Sequence, residues 1–143
     1  EFTGYWRDVG TVKSLYEANM DLLEDDLFLG LNSSKVLPVF SKSLNLNPHI
    51  VLEKGRVNQS VVADGSIISG RIYHSTISYR VEVGENSSIE DSVLLPEVKV
   101  GKNVFIKKAI VNQNVLIPDN YYFNGEEVSL LTQTNLLKLG EIK

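Results

Sequence analysis

The sequence predicts a mainly β protein whose larger part is a parallel β-helix, preceded by a single helix. The prediction depends first on a repeat that begins near His49. From there, aliphatic residues recur at steps of five or six, whereas a helix would give three and four and a lone strand two. Turn-forming pairs such as Asp64–Gly65 and Ser69–Gly70 lie between them. The recurring aliphatic residues are Val57, Val62, Ile67, Ile72, Ile77, Val83, Ile89, Leu95, Val100, Ile106, Val111 and Ile117.

The spacing of these residues is the second observation. Six residues make one short strand and a turn, and three such units close a coil of roughly 17–18 residues. The residues Ile67, Val83, Val100 and Ile117 are 16, 17 and 17 apart, and Ile72, Ile89 and Ile106 are 17 and 17 apart. We therefore expect both series to stack as inward columns, coil upon coil. The alternative, an antiparallel β-sandwich, would not keep this spacing over some sixty residues.

The third observation is the helical pattern ahead of the repeat. Thr11 can serve as the N-cap because its hydroxyl can accept from free N–H groups of the first turn. Apolar residues and one Asn then follow at steps of three and four, and we expect the helix to end by about Asp25. The residues of this face are Val12, Leu15, Tyr16, Asn19 and Leu23. Residues 27–48 contain Gly30, Pro38 and Pro48 and read as a connection.

The amino-acid composition argues against several classes of protein. The 143 residues carry a net charge of −4, which argues against nucleic acid as a partner, because a nucleic-acid surface is basic. There is no Cys, no apolar run long enough to span a membrane and no signal peptide, so we expect a cytoplasmic protein without a membrane partner. The chain does not begin with Met, and we expect it to be a piece of a longer protein.

Two separate motifs resemble one family. The stretch GYWRDVGTVKSLYEANMDLL, residues 4–23, is similar to the end of the catalytic domain in bacterial glucose-1-phosphate adenylyltransferases (ADP-glucose pyrophosphorylases). The stretches 60–72, 80–111 and 114–120 resemble the left-handed parallel β-helix that follows in that family. The resemblance implies three parts: residues 1–26 as the tail of an α/β nucleotidyltransferase domain, 27–48 as a linker, and 49–143 as a left-handed β-helix with a C-terminal extension.

The resemblance also implies a reaction. The intact family members transfer adenylyl from ATP to glucose 1-phosphate, which gives ADP-glucose and pyrophosphate and requires Mg²⁺. The family's GYWxDVGT aspartate is a catalytic metal ligand, which places that role on Asp8. A carboxylate ahead of a helix N-terminus is also favourable without a metal. Arg7 could reach a substrate phosphate or pair with an acid. The ATP and sugar sites lie in the missing catalytic domain, so we expect the fragment alone to be inactive.

For the β-helix, the resemblance implies assembly and regulation in glycogen biosynthesis. It packs on its own catalytic domain and on other subunits, usually in a tetramer, and anionic effectors bind near the junction. The cationic side chains available are Arg56, Arg71, Arg80, Lys102, Lys107 and Lys108. We take Arg80, next to Tyr79, as the first candidate, although each of these side chains could simply keep the surface soluble.

Other functions stay open at this point. Hexapeptide β-helices also occur in acyltransferases, which use CoA and a catalytic His, and this chain has His49 and His74. A low-activity regulatory subunit of the same enzyme, a purely structural oligomerisation module and a nucleotidyltransferase for another sugar are further alternatives. The His, Asp and Glu residues show no metal-ligand spacing in the sequence.

Overall fold

The computed structural model describes residues 6–24 and 44–143. Most of the predicted connection, residues 27–43, therefore lies outside the described residues. The described part contains helix α1 (Val12–Asp21), helix α2 (Leu136–Leu139) and fourteen strands. The strands are β1 (Ile50–Val51), β2 (Arg56–Asn58), β3 (Val61–Val62), β4 (Ile67–Ile68), β5 (Arg71–Tyr73), β6 (Thr76–Ile77), β7 (Glu82–Val83), β8 (Ser88–Glu90), β9 (Val93–Leu94), β10 (Lys99–Val100), β11 (Phe105–Val111), β12 (Leu116–Ile117), β13 (Tyr121–Leu131) and β14 (Glu141–Ile142).

The short strands pair in parallel, each with the strand one coil along. One sheet has the order β1-β4-β7-β10-β12, and the other has the order β2-β5-β8-β11-β9-β6-β3 with β13 beside β11. In the two last coils, single long strands, β11 and β13, replace the second and third short strands of the coils before them. The chain thus winds through about five coils. The predicted fold class, a mainly β parallel β-helix of hexapeptide repeats, is confirmed.

The core consists of three inward columns of aliphatic side chains, one from each strand position of the coil. The column Ile72, Ile89, Ile106 forms as predicted, and Phe123 continues it. The two other columns are Ile68, Val83, Val100, Ile117 and Val62, Ile77, Leu94, Val111. Apart from Val62, which is partly buried, every member is at most 6% exposed.

Two of the predicted inward residues are wrong by one position. Ile67 is 41% exposed and Ile68 is fully buried; similarly, Leu94 rather than Leu95 enters the core. For Ile67, the cause is a shorter second coil. Ile68 lies 15 residues before its register partner Val83, whereas the later steps of this column are 17 residues. Because side chains alternate between faces, a shift of one residue exchanges inside for outside.

The corners between strands are formed by residues in the left-handed region. One corner repeats as Asn86, Asn103 and Asn120, with φ of 59°, 55° and 62°. Asn tolerates this region better than other non-Gly residues. The side-chain amides also connect the coils, because Asn86 Nδ2 donates to Asn103 Oδ1 at 3.3 Å and Asn103 Nδ2 donates to Asn120 Oδ1 at 3.2 Å. These corners hold the coils at a constant 17-residue step.

Helix α1 begins where the sequence predicts. The Thr11 side chain accepts from Ser14 N–H and the Ser14 side chain accepts from Thr11 N–H, which is a reciprocal capping box. The helix ends at Asp21, before the predicted limit of Asp25, and Leu22 is its C-cap. No α1 residue is fully buried, so the helix lies on the surface of the β-helix rather than in its core.

The C-terminal end of the β-helix is closed by polar and apolar groups of the last forty residues. The side-chain amide of Gln133 accepts from Leu116 N–H at 2.8 Å and donates to Leu116 C=O at 3.3 Å, so it occupies the place of the next strand. Strand β14 pairs antiparallel with β13. Helix α2 buries Leu136, whose carbonyl accepts from the Tyr121 hydroxyl at 2.9 Å.

Candidate functional site

Helix α1 is attached to the β-helix by two polar contacts that connect residues far apart in sequence. The Tyr16 hydroxyl donates to the Asp91 carbonyl at 2.8 Å. The Thr76 hydroxyl donates to Asn19 Oδ1 at 3.2 Å. Tyr16 and Asn19 are three residues apart and therefore share one face of the helix. The segment before α1 is consequently fixed relative to the coils that contain Thr76 and Asp91.

Local contacts orient these two side chains. Asn19 Nδ2 donates to the Leu15 carbonyl at 2.9 Å, which turns Oδ1 towards the β-helix. Burial, and next the nearby charge of Asp91, raise the pKa of the Tyr16 hydroxyl above its ordinary value. Tyr16 therefore stays protonated and remains a hydrogen-bond donor across the physiological range.

The segment before α1 contains the predicted site residues Arg7 and Asp8. The guanidinium of Arg7 contacts Glu17 at 2.6 Å and Asp21 at 2.7 Å, both on α1. Asp8 is exposed, and its Oδ1 accepts from Gly10 N–H at 3.1 Å. Arg7 thus fixes the segment to the helix, and the helix is attached to the β-helix. Asp8 keeps carboxylate lone pairs that no contact within the described residues uses.

The resemblance implies that Asp8 is a ligand of Mg²⁺. Among residues 6–24 and 44–143, no three His, Asp or Glu side chains are grouped so that they could hold a metal ion. Mg²⁺, however, commonly takes only one or two protein carboxylates, with phosphate oxygens and water for the remainder. An exposed carboxylate such as Asp8 therefore fits as one ligand, with substrate phosphate as the other source of oxygens.

Asp91 joins α1 to a charged cluster on the β-helix. Its Oδ1 lies 2.8 Å from His74 Nδ1, and its Oδ2 lies 3.8 Å from Lys107 Nζ. Lys107 Nζ also lies 3.7 Å from Glu90. His74 and Asp91 both have left-handed backbone conformations, with φ of 45° and 43°, because they occupy the same corner of successive coils. The cluster places a His–carboxylate pair directly beside the contact that holds α1.

A cavity of about 360 Å³ lies between α1 and the last coil. Strands β11 and β13 pair in two stretches. Between these stretches β13 has four residues and β11 has one, so residues 125–128 of β13 bulge outwards and form the cavity. Its lining contains two lysines and three glutamates, so it is not a uniformly cationic pocket. The lining residues are Lys13, Tyr16, Glu17, Lys108, Glu126, Glu127 and Val128.

Arg80, the first effector candidate, lies at a different corner. It has φ of 56°, and its guanidinium Nη1 lies 3.1 Å from Glu97 Oε1, one coil along. Arg80 is therefore not brought together with Arg7 and Asp8 by any contact in the described part of the chain. Its role in binding an effector stays a prediction, as do the substrate role of Arg7 and the metal role of Asp8.

The sequence places Tyr16 and Asn19 on one face of the helix but does not identify their partners on the β-helix, Asp91 and Thr76. The polar amide of Asn19 among apolar residues at that spacing is the available signal for a partly buried polar contact. Asp91 could not be found in this way, because its contact with Tyr16 uses the backbone carbonyl.

Comparison with known proteins shows to which family the chain belongs. Residues 48–128 match the family model described as GlmU-like, C-terminal hexapeptide. The chain belongs to this hexapeptide family. Neither described helix of this family member is long and apolar enough to cross a membrane.

The hexapeptide chain is also related to named enzymes. It is 44% identical over 126 residues to proteins named glucose-1-phosphate adenylyltransferase from Bacillus cereus (strain Q1), Bacillus thuringiensis (strain Al Hakam) and Bacillus mycoides (strain KBAB4). Each alignment covers 88% of this chain but 33% of the relative, so the chain spans about a third of the length of the curated relatives it matches. The resemblance to this family, through its C-terminal portion, is confirmed.

Proposed function

We propose that this chain is the C-terminal portion of a glucose-1-phosphate adenylyltransferase subunit. The intact protein would convert ATP and glucose 1-phosphate to ADP-glucose and pyrophosphate, for glycogen biosynthesis in the cytoplasm. The observation that carries the proposal is the 44% identity over 126 of 143 residues to proteins with that name. The nucleotide and sugar sites belong to the part of the relatives that this chain does not cover.

The proposed role of Asp8 is to bind Mg²⁺ together with substrate phosphates. When bound, the ion would neutralise phosphate charge in the transfer of the adenylyl group. The chain's own residues contribute the position of the carboxylate. Gly10 N–H holds one oxygen, Arg7 joins the segment to α1, and Tyr16 joins α1 to the β-helix. Such positioning matters because small displacements of catalytic groups cost rate.

The proposed role of the β-helix is to assemble subunits, in a tetramer, and to transmit the binding of an anionic effector. The contacts of Tyr16 and Asn19 support this role, since they give the β-helix a direct mechanical connection to the segment that contains Asp8. Arg80 remains the effector candidate from sequence, with Glu97 as the partner that an anion would have to displace.

The deciding experiment measures pyrophosphate release by the intact protein with ATP, glucose 1-phosphate and Mg²⁺. We expect the wild type to be active and Asp8→Asn to lose about 100-fold or more in kcat, because one charged metal ligand is lost. Asp64→Asn is the matched control: it removes an exposed carboxylate on the β-helix and should retain activity.

The outcomes separate the open alternatives. An inactive wild type that changes the activity of a catalytic partner would identify the low-activity regulatory subunit instead. An active Asp8→Asn variant would remove Asp8 from the metal site without removing the reaction.

A second candidate function is hexapeptide acyltransfer, and the His74–Asp91 contact at 2.8 Å favours it. A carboxylate that orients a His is the arrangement of a general base. This candidate requires CoA, so titration of the intact protein with acetyl-CoA tests it. Binding that is lost in His74→Gln would support acyltransfer, and the absence of binding would exclude it.

A further inference from the structure

The carbonyl that holds α1 belongs to a peptide group whose orientation is fixed from inside the coil. The N–H of this Asp91–Ser92 peptide donates to Ser75 Oγ at 3.0 Å, one coil earlier. Ser75 and Ser92 are both fully buried, so the contact lies within the coils. Because the N–H and C=O of a trans peptide point in opposite directions, the Asp91 carbonyl faces outwards. There it accepts from the Tyr16 hydroxyl at 2.8 Å.

The side chain of Asp91 is held from the outside, by His74. Asp91 has φ of 43°, a left-handed conformation that residues other than Gly, Asn and Asp rarely adopt. His74 Nδ1 lies 2.8 Å from Asp91 Oδ1, and within residues 6–24 and 44–143 it is the single hydrogen-bond partner of that carboxylate. Because a carboxylate accepts and cannot donate, Nδ1 carries the hydrogen of this contact. Lys107 Nζ lies farther away, at 3.8 Å from Oδ2, so His74 supplies the closest restraint on the Asp91 side chain.

The second polar contact of α1 starts from the same corner. Thr76 follows His74 by two residues, and its hydroxyl donates to Asn19 Oδ1 at 3.2 Å. Both polar contacts between α1 and the β-helix therefore depend on one short corner, formed by residues 74–76 and Asp91. No residue of α1 is fully buried, so a change at this corner should be felt by the whole helix.

We propose that His74 is a positioning residue: it orients the Asp91 corner, which attaches α1 to the β-helix, and it thereby helps to place Asp8. The connection from α1 to the segment of Asp8 is Arg7, whose guanidinium contacts two carboxylates of the helix. The part of the inference that concerns Asp8 rests on the proposed adenylyl transfer. This role differs from that of a general base in acyl transfer, because His74 acts through Asp91 and not on a substrate.

Hydrogen exchange of the α1 amides in the intact protein tests the attachment. We expect His74→Ala to accelerate that exchange about threefold or more, while the amides of β10 and β12 keep their rates. His74→Asn should stay near the wild type, because its side-chain amide can donate to Asp91 as Nδ1 does. Asn86→Ala is the matched control. It also removes a side-chain contact between successive coils from a left-handed corner residue, but at a corner that forms neither polar contact with α1.

A double variant shows whether His74 acts through the Asp91 carbonyl. Tyr16→Phe removes the hydroxyl that donates to this carbonyl. In the Tyr16→Phe background, His74→Ala should therefore change α1 exchange by less than about twofold, because the two changes interrupt the same connection. Equal acceleration by His74→Ala in both backgrounds, or no acceleration in either, would overturn the proposal.

The activity of the intact protein tests the consequence for Asp8. With ATP, glucose 1-phosphate and Mg²⁺, we expect kcat to fall about 3- to 10-fold in His74→Ala with little change in KM, and to recover in His74→Asn. Recovery by asparagine supports positioning, because an amide cannot act as a general base. Faster α1 exchange with an unchanged kcat would overturn the link to Asp8. An intact protein that lacks the transfer reaction would remove the proposed function, whereas the exchange results would still decide the role of His74.

Discussion

At the scale of the residue, the corner asparagines show how one side chain performs two tasks. Asn103 holds a backbone φ of 55° and connects its coil to the coils on both sides through its amide. A β-branched residue is strained in this conformation, and an apolar one loses both amide contacts.

We predict that Asn103→Val lowers the free energy of unfolding by about 2 kcal/mol or more, which chemical denaturation would measure. Asn103→Gly is the control, since glycine accepts the backbone conformation and loses only the amide contacts. If the two variants are equally destabilised, backbone strain is not the cause.

A second residue, Tyr121, makes stability depend on alkaline pH. Burial raises the pKa of its hydroxyl to about 12, against an ordinary value of 10.0. Between these values the unfolded chain releases the proton while the folded chain keeps it, so folding stability is complete below pH 10 and declines as pH rises through 12.

We therefore expect the free energy of unfolding to fall between pH 10 and 12 in the wild type, and to fall less steeply in Tyr121→Phe. Denaturation at a series of pH values measures the slope. The control is Tyr122→Phe, which removes the hydroxyl of the next tyrosine in the chain and keeps the ring that stacks on Phe105. A slope unchanged by Tyr121→Phe would contradict this assignment.

At this scale, the sequence does not determine which of two neighbouring aliphatic residues faces the core. The period of five and six identified Ile72, Ile89 and Ile106 as a core column, because they are 17 residues apart. It selected Ile67 instead of Ile68, since both are isoleucine and only the length of the second coil distinguishes them. Neighbouring aliphatic residues give no signal for which of the two faces inwards.

At the scale of the element, the position of α1 on the β-helix depends on few contacts. The helix buries no residue completely, so the hydrogen bonds of Tyr16 and Asn19 have a large share in holding it. The sequence predicted the start of α1 from Thr11 and a stripe of apolar side chains. It could not predict where that stripe would dock, because the partners lie 57 and 75 residues away.

We predict that Tyr16→Phe weakens the attachment of α1 by about 1 kcal/mol, the net value of one hydrogen bond. Hydrogen exchange of the α1 amides should become roughly fivefold faster, while the β-helix amides remain unchanged. Lys13→Gln serves as the control, since its side chain is 81% exposed and holds only a long ion pair with Glu17. Unchanged α1 exchange in Tyr16→Phe would show that other contacts hold the helix.

At the scale of the whole molecule, the β-helix is a stack in which each coil contacts only its neighbours. The free energy of unfolding of such a protein is approximately the sum of the intrinsic stabilities of its coils and the contributions of the interfaces between neighbouring coils. A residue in a middle coil therefore contributes to two interfaces, and one in the first coil to a single interface. Ile89 is fully buried, whereas Val57, in the same column, is 36% exposed.

We predict that Ile89→Ala lowers the free energy of unfolding by about 2–5 kcal/mol, because it leaves a cavity between two coils. Val57→Ala should cost less than about 1 kcal/mol, since its side chain is only partly removed from water. Urea denaturation of both variants measures the difference. Similar losses at the two positions would mean that the first coil is as tightly packed as the middle.

The closed C-terminal end has a consequence for how copies can meet. Gln133 occupies the hydrogen-bonding positions of Leu116, whereas β1, β2 and β3 pair, among described residues, only with the second coil. A strand whose hydrogen-bonding groups are already occupied offers no edge on which another copy can continue the sheet. A single amide side chain thus works against end-to-end addition of strands beside Leu116.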